Sequence, residues 1–159
     1  MVDTAATLLK FQSALQSGGI EPSKCQMFSE LSILRDEADG KPRYTYALIV
    51  DEVAQAITIF VLVAPIEQTP CFHLGYAVDP SFRGRGIGGH ILDISLKELE
   101  QGLRRHASAA YCIEAVVGIE NHASNRLAHR HISSNPTKIV CDYSGEDAFR
   151  YIKRYESAT

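Results

Sequence analysis

The hydrophobic positions change period several times along the chain, and each change predicts an element. Ala5, Leu8 and Leu15 recur at helical spacing within residues 4–17, and Ser17-Gly18-Gly19-Ile20 ends that run, which predicts a short first helix. Met27, Leu31, Leu34 and Ala38 repeat the same spacing, so residues 26–38 are expected to form a second helix, closed by a turn at Asp39-Gly40-Lys41-Pro42. Residues 43–50 and 54–64 are rich in β-branched and aromatic side chains and flank Asp51-Glu52. They read as an antiparallel pair of strands, the second broken by residues 65–70. Residues 71–78 give a third strand that stops at Asp79-Pro80.

The second half alternates. A helix is expected over residues 87–105, with Ile91, Leu92, Leu96, Leu99 and Leu103 on its buried stripe. A short apolar strand follows at 111–117, then a short helix at 121–132, then two closing strands at 137–143 and 148–155. The predicted order is ααβββαβαββ, an α/β (α+β) domain with a mixed sheet and helices on its faces. No repeat or linker-like stretch interrupts it, so residues 1–159 are expected to be one domain.

Composition narrows the function classes. A 45% apolar, 22% charged chain is an ordinary globular one, and a net charge of -3 gives no support for nucleic acid as the main partner. The longest apolar run, residues 56–65, is far short of the ~20 residues of a membrane span. The first fifteen residues hold one lysine and no apolar leader segment, so the expected location is cytoplasmic, with no membrane partner. Cys25, Cys71, Cys112 and Cys141 are scattered with no CxxC pair and read as reduced thiols. His122, His129 and His131 do not share one helix face and lack a completing ligand, so no metal is expected.

The chemistry concentrates between the third strand and the long helix. Residues Arg83 to Gly89 run Arg-Gly-Arg-Gly-Ile-Gly-Gly. A helix start offers unpaired N–H groups and the positive end of the macrodipole, and glycines let backbone approach a ligand. Together with Arg83 and Arg85 they make a site for a phosphate or diphosphate. Gly84, Gly86 and Gly89 also satisfy GxGxxG, the dinucleotide fingerprint. Here, however, the loop lies mid-chain, with Asp79 to Arg83 between strand and first glycine, unlike a Rossmann unit. A Walker loop fails because no Lys-Ser/Thr follows the glycines.

These residues resemble the GNAT superfamily of acyl-CoA-dependent N-acetyltransferases. Arg83, Gly86 and Gly88 meet its Gln/Arg-x-x-Gly-x-Gly/Ala motif, and Val117, Asn121, Ser124 and Leu127 are similar to its Val-x-x-x-Asn-x-x-Ser/Ala-x-x-Leu segment. The resemblance runs from about residue 43 to 132. It implies a mostly antiparallel mixed sheet and acetyl-CoA as cosubstrate. The pyrophosphate is expected on the backbone of Arg83, Gly84, Arg85, Gly86, Ile87, Gly88 and Gly89. The pantetheine is expected along Ala77 and Val78, with Asn121 and Ser124 beside it; Asn121 could equally serve as a helix N-cap. The implied reaction is direct attack of an amine on the thioester, the amine belonging to a small molecule or to a peptide or protein terminus. The alternative is a binding module that keeps the loop and has lost turnover.

The incoming ammonium must lose a proton before it attacks, so a base is expected. Many family members place a tyrosine, as general acid, directly after the motif leucine; this chain has Ala128 there. Glu114, inside an apolar strand, is the candidate base, with a raised pKa expected from burial. His129 and Tyr143 are candidate acids. Strand parity puts Phe72, Leu74 and Tyr76 on one face and His73 on the other, where a structural role is expected for it. Phe149, Tyr151 and Tyr155 alternate on the last strand, as core or else as acceptor wall or the seam of a homodimer.

Overall fold

The computed structural model describes residues 4–106 and 109–157. Among these, helix α1 (Ala5–Ser17) precedes strands β1 (Ser23–Lys24), β2 (Leu31–Ala38), β3 (Lys41–Val50), β4 (Val53–Ile66) and β5 (Thr69–Val78). Helix α2 (Ile87–His106), β6 (Tyr111–Gly118), α3 (His122–His131), β7 (Thr137–Val140) and β8 (Asp147–Tyr155) follow. The strands form one sheet in the order β1-β2-β3-β4-β5-β6-β8-β7. Every neighbouring pair is antiparallel except β5 with β6, which run parallel. The expected mixed, mostly antiparallel sheet is therefore present.

The second expected helix is not. Residues 31–38 are extended and pair with β3 from Leu31 opposite Leu48 to Ala38 opposite Lys41. The helical spacing was coincidental: Leu31 and Ile33 enter the core on one face, Leu34 packs on the other, and Met27 is exposed. That is the period of a two-sided strand. Hairpin turns then chain the strands together. Asp39-Gly40, Asp51-Glu52 and Glu67-Gln68 each hold both central residues at positive φ, as two-residue turns between twisted antiparallel strands require. The break expected over residues 65–70 is a register shift beyond Val63 and a turn at Glu67-Gln68, so β4 runs on to Ile66.

Two apolar clusters sandwich the sheet. The larger joins Ile91, Leu92, Ile94, Leu96 and Leu99 of α2 to Tyr46, Phe60, Phe72, Leu74, Ile113, Val117 and Tyr151. Phe149 and Tyr155 pack against it, so the aromatic last strand belongs to the core. The smaller cluster holds Leu8 and Phe11 of α1 against Ala47, Ile57, Ile59 and Ala77 on the opposite face. Helix α1 comes very close to β5: a Cβ at Gly75 would sit 2.8 Å from the Thr4 methyl. Gly18, at φ +77°, ends α1 as its sequence indicated.

Candidate active site

Strands β5 and β6 begin side by side and then part. Their register holds Cys71 opposite Cys112, Phe72 opposite Ile113 and His73 opposite Glu114, and ends there. Yet β5 continues to Val78 and β6 to Gly118. Past His73, then, β5 keeps its β4 partner on one edge and has no β6 partner on the other. Beside this unpaired stretch lies a cleft of about 730 Å³ walled by residues 76–78 of β5, by the Arg83–Gly89 loop without Arg85, and by α3 from Asn121 to Arg130.

The loop is shaped to donate. Asp79 caps a short turn at Pro80–Phe82 by accepting from the Ser81 amide at 2.8 Å. Gly84 and Gly86 follow at φ +75° and +76°, either side of Arg85, so successive amides curve into a nest. Among the described residues, none of the amides from Gly84 to Gly89 has an acceptor in the chain; the next, of His90, bonds to the Gly86 carbonyl. Gly88 and Gly89 have another purpose. A Cβ at Gly88 would crowd Leu127 and Tyr76 at 3.3 Å, and one at Gly89 would touch Leu127, so these glycines let α2 lie close against α3 and β5.

The charges are arranged differently from the sequence expectation. Arg83 lines the cleft, but its Nε donates to the Val78 carbonyl at 3.2 Å, so that carbonyl is already engaged. Arg85 is not among the lining residues; its guanidinium lies over the ring of Phe82, which is, 5.6 Å from the centroid. Arg126 and Arg130 of α3, which sequence reasoning passed over, line the cleft instead. Their i, i+4 spacing on the helix that follows the Asn121 motif was the available signal. No carboxylate is among the lining residues, and neither α2 nor α3 has an acid in its first turn. Two helix N-termini and three arginines thus give one sign of charge to the cleft of a net acidic chain.

Asn121 is the N-cap of α3, its Oδ1 accepting from the Ser124 amide at 3.2 Å, and it lines the cleft as well. Ser124 is buried and its hydroxyl meets the Tyr76 hydroxyl at 3.0 Å. Asn125, another residue the sequence reading missed, ties the turn: its Nδ2 donates to the Gly118 and Asn121 carbonyls, and its Oδ1 accepts from the Tyr151 hydroxyl at 2.7 Å.

None of the three candidate acid–base residues lines the cleft. Tyr143 is 94% exposed between β7 and β8. His129 is exposed in the last turn of α3. Glu114 lies where β5 and β6 part, but its pKa moves opposite to expectation. Its Oε1 takes a hydrogen bond from His73 Nδ1 at 3.2 Å, and its Oε2 takes bonds from Arg150 Nε at 2.7 Å and Nη2 at 2.6 Å. The His73 bond first, with Arg150, outweighs burial and holds the carboxyl below its ordinary value. Parity was read correctly: Phe72, Leu74 and Tyr76 share the α2 side, away from His73. Of the cysteines, all free, Cys25, Cys71 and Cys112 are buried and Cys141 is half-buried. No described helix is long and apolar enough to cross a membrane.

The acetyltransferase (GNAT) family profile matches residues 17–132. No curated protein matches the chain in sequence. Among solved structures, RimL, a ribosomal L7/L12 alpha-N-protein acetyltransferase in complex with coenzyme A, superposes with a TM-score of 0.51 at 21% identity. That match covers 73% of this chain, which spans 64% of the RimL chain. The NatC complex bound to Gag peptide and CoA gives a TM-score of 0.52 at 18% identity, over 72% of this chain and 71% of that one. A chimera of the spermidine N-acetyltransferase SpeG from Vibrio cholerae and hSSAT gives 0.52 at 10% identity, over 70% and 69%. At these identities the likeness is one of fold.

Proposed function

The chain belongs to the acetyltransferase (GNAT) family, and from that premise we propose that it moves an acetyl group from acetyl-CoA to an amine by direct attack, with residues 1–159 acting as one domain. The observation that carries this reading is the run of amides from Gly84 to Gly89, acceptor-free among the described residues, in a cleft walled by α3 and by the end of β5 that has left its parallel partner. Acetyl-CoA brings an activated thioester and a thiolate leaving group.

The residues fit that cosubstrate. The Gly84–Gly89 amides hold the diphosphate, and Arg83, Arg126 and Arg130 add charge from both walls. The free edge of β5 carries the backbone groups of Tyr76 and Val78, because Ala77, like Asp79, turns its own toward β4. With the Val78 carbonyl held by Arg83, the Val78 amide and the Tyr76 groups are offered to an extended arm, as an added strand would use them. Asn121 and the Ser124–Tyr76 pair line the same passage. Tyr76, whose hydroxyl lines the cleft and meets that of Ser124 at 3.0 Å, donates a proton to the departing thiolate and regains one from water. The acceptor is a primary amine of a small molecule or a peptide terminus, the classes named for the solved structures of this fold.

Isothermal titration with acetyl-CoA, followed by thiol release over an amine panel, tests the reading. Saturable binding with turnover on at least one amine is expected. Failure to bind acetyl-CoA at millimolar concentration would end it.

A further inference from the structure

Among the described residues, the cleft wall supplies backbone donors, cations, a phenol, a serine and an asparagine, but neither a carboxylate nor an imidazole. A base for the incoming ammonium must therefore come from beyond that wall. At the last paired position before the strands part, three side chains form a chain across the sheet: His73 on β5, Glu114 on β6 and Arg150 on β8. Arg150 grips one oxygen of Glu114 through two nitrogens, and His73 Nδ1 meets the other. An ionised carboxylate only accepts, so the hydrogen of that bond sits on Nδ1. The far nitrogen, His73 Nε2, is buried and has no hydrogen-bond partner among the described residues. A hydrogen there would be an orphaned buried donor, which costs more than an idle lone pair in the same place.

Resting on the acetyl-transfer reading above, we propose that His73 is the general base of the reaction and that Glu114 is its positioning residue. Nε2 is covered at rest, so the acceptor ammonium must reach it through the gap that opens just past His73 between β5 and β6. One ammonium N–H bond breaks, an Nε2–H bond forms, and the positive charge passes to the imidazole beside Glu114. The amine keeps the electron pair with which it attacks, and the imidazolium afterwards returns its proton to water. The surroundings suit this. Glu114 and the Cys112 thiol face His73 from β6, Arg150 and Arg154 reach those two groups from β8, and Cys71 lies on its own strand. β4 presents Val61 opposite it, and Thr4, the N-cap of α1, lies against Gly75 two residues along; neither is charged. The structural role expected for His73 from its sequence thus becomes a chemical one, and Glu114 moves from base to support.

Two measurements decide it. In the resting wild-type protein, imidazole nitrogen NMR should find the neutral His73 ring carrying its hydrogen on Nδ1, and E114Q should lose that preference. A ring with its hydrogen on Nε2 would overturn the proposal. In kinetics with acetyl-CoA and either spermidine or a short peptide with a free α-amine, H73Q should lose about 10²–10⁴-fold in kcat/KM. It should also lose the acidic limb of the pH profile and recover part of the rate with added imidazole, while acetyl-CoA binding by titration stays unchanged. Undiminished H73Q turnover with the limb intact would overturn the proposal and leave acetyl transfer standing. A wild type that cannot bind acetyl-CoA would remove both.

Discussion

Glycine at residue 86 and glycine at residue 88 answer different constraints although they share one motif. At Gly86 a Cβ would meet open space, and only the positive φ demands glycine. At Gly88 a Cβ would press on Leu127 and Tyr76. A motif of glycines thus encodes both the curvature of an anion nest and the closeness of a helix to its neighbours. Glu114 shows the residue scale in its electrostatics. Its carboxyl lies below the ordinary value of 4.5 in the fold, so the unfolded chain binds the proton more readily. The stability this contributes is present above the unfolded value and is lost as pH falls through the lowered one. Thermal melts from neutral pH into the acid range should therefore fall more steeply for wild type than for E114Q. Parallel curves would mean that the His73–Glu114–Arg150 chain contributes nothing to acid sensitivity.

At the scale of elements, the error over residues 26–38 is instructive. β2 buries Leu31 and Ile33 on one face and half-buries Leu34 on the other, which blurs the alternation, and Leu31, Leu34 and Ala38, with Met27 ahead of the strand, happened to fall at helical spacing. The register with β3 decided the matter, and that register is set by the Asp39-Gly40 turn. The segment before β2 is anchored from a distance. Glu98 of α2, buried, accepts from the amides of Met27 and Phe28 at 2.7 and 2.8 Å. Glu98→Ala strands both amides and should cost about 1–3 kcal/mol in urea unfolding. Amide exchange at Met27 and Phe28 should rise with it; unchanged protection there would show that the segment is held by its apolar contacts alone.

For the whole molecule, the decisive feature is where the sheet changes direction. Antiparallel hairpins run as far as β5, and the crossover through α2 returns β6 parallel to it. The pair holds for three residues and parts, and the N-termini of α2 and α3 meet at the open end. Arg126 and Arg130 owe their place in the cleft to this convergence. R126A and R130A should each weaken CoA binding by about tenfold, or roughly 1.4 kcal/mol, and the loss should shrink as salt is raised. Equal affinity for wild type and the double variant would remove both arginines from the site.

Much was legible in the sequence for a local reason. The α1 stop at Gly18, the buried stripe of α2, the strand expected at 111–117 and the free amides expected over Arg83 to Gly89, of which only the Arg83 amide is engaged, by the Pro80 carbonyl, follow from side-chain period, glycine conformation and helix-end donors, which act over a few residues. Contacts between distant segments were fixed only by the tertiary structure. It turned Arg85 onto Phe82, brought Arg130 to the cleft, and joined His73 to Glu114 across 41 positions of chain. A carboxylate's pKa depends on which charges the fold brings beside it. That is why Glu114, expected to be raised by burial, is instead held low by partners from two other strands.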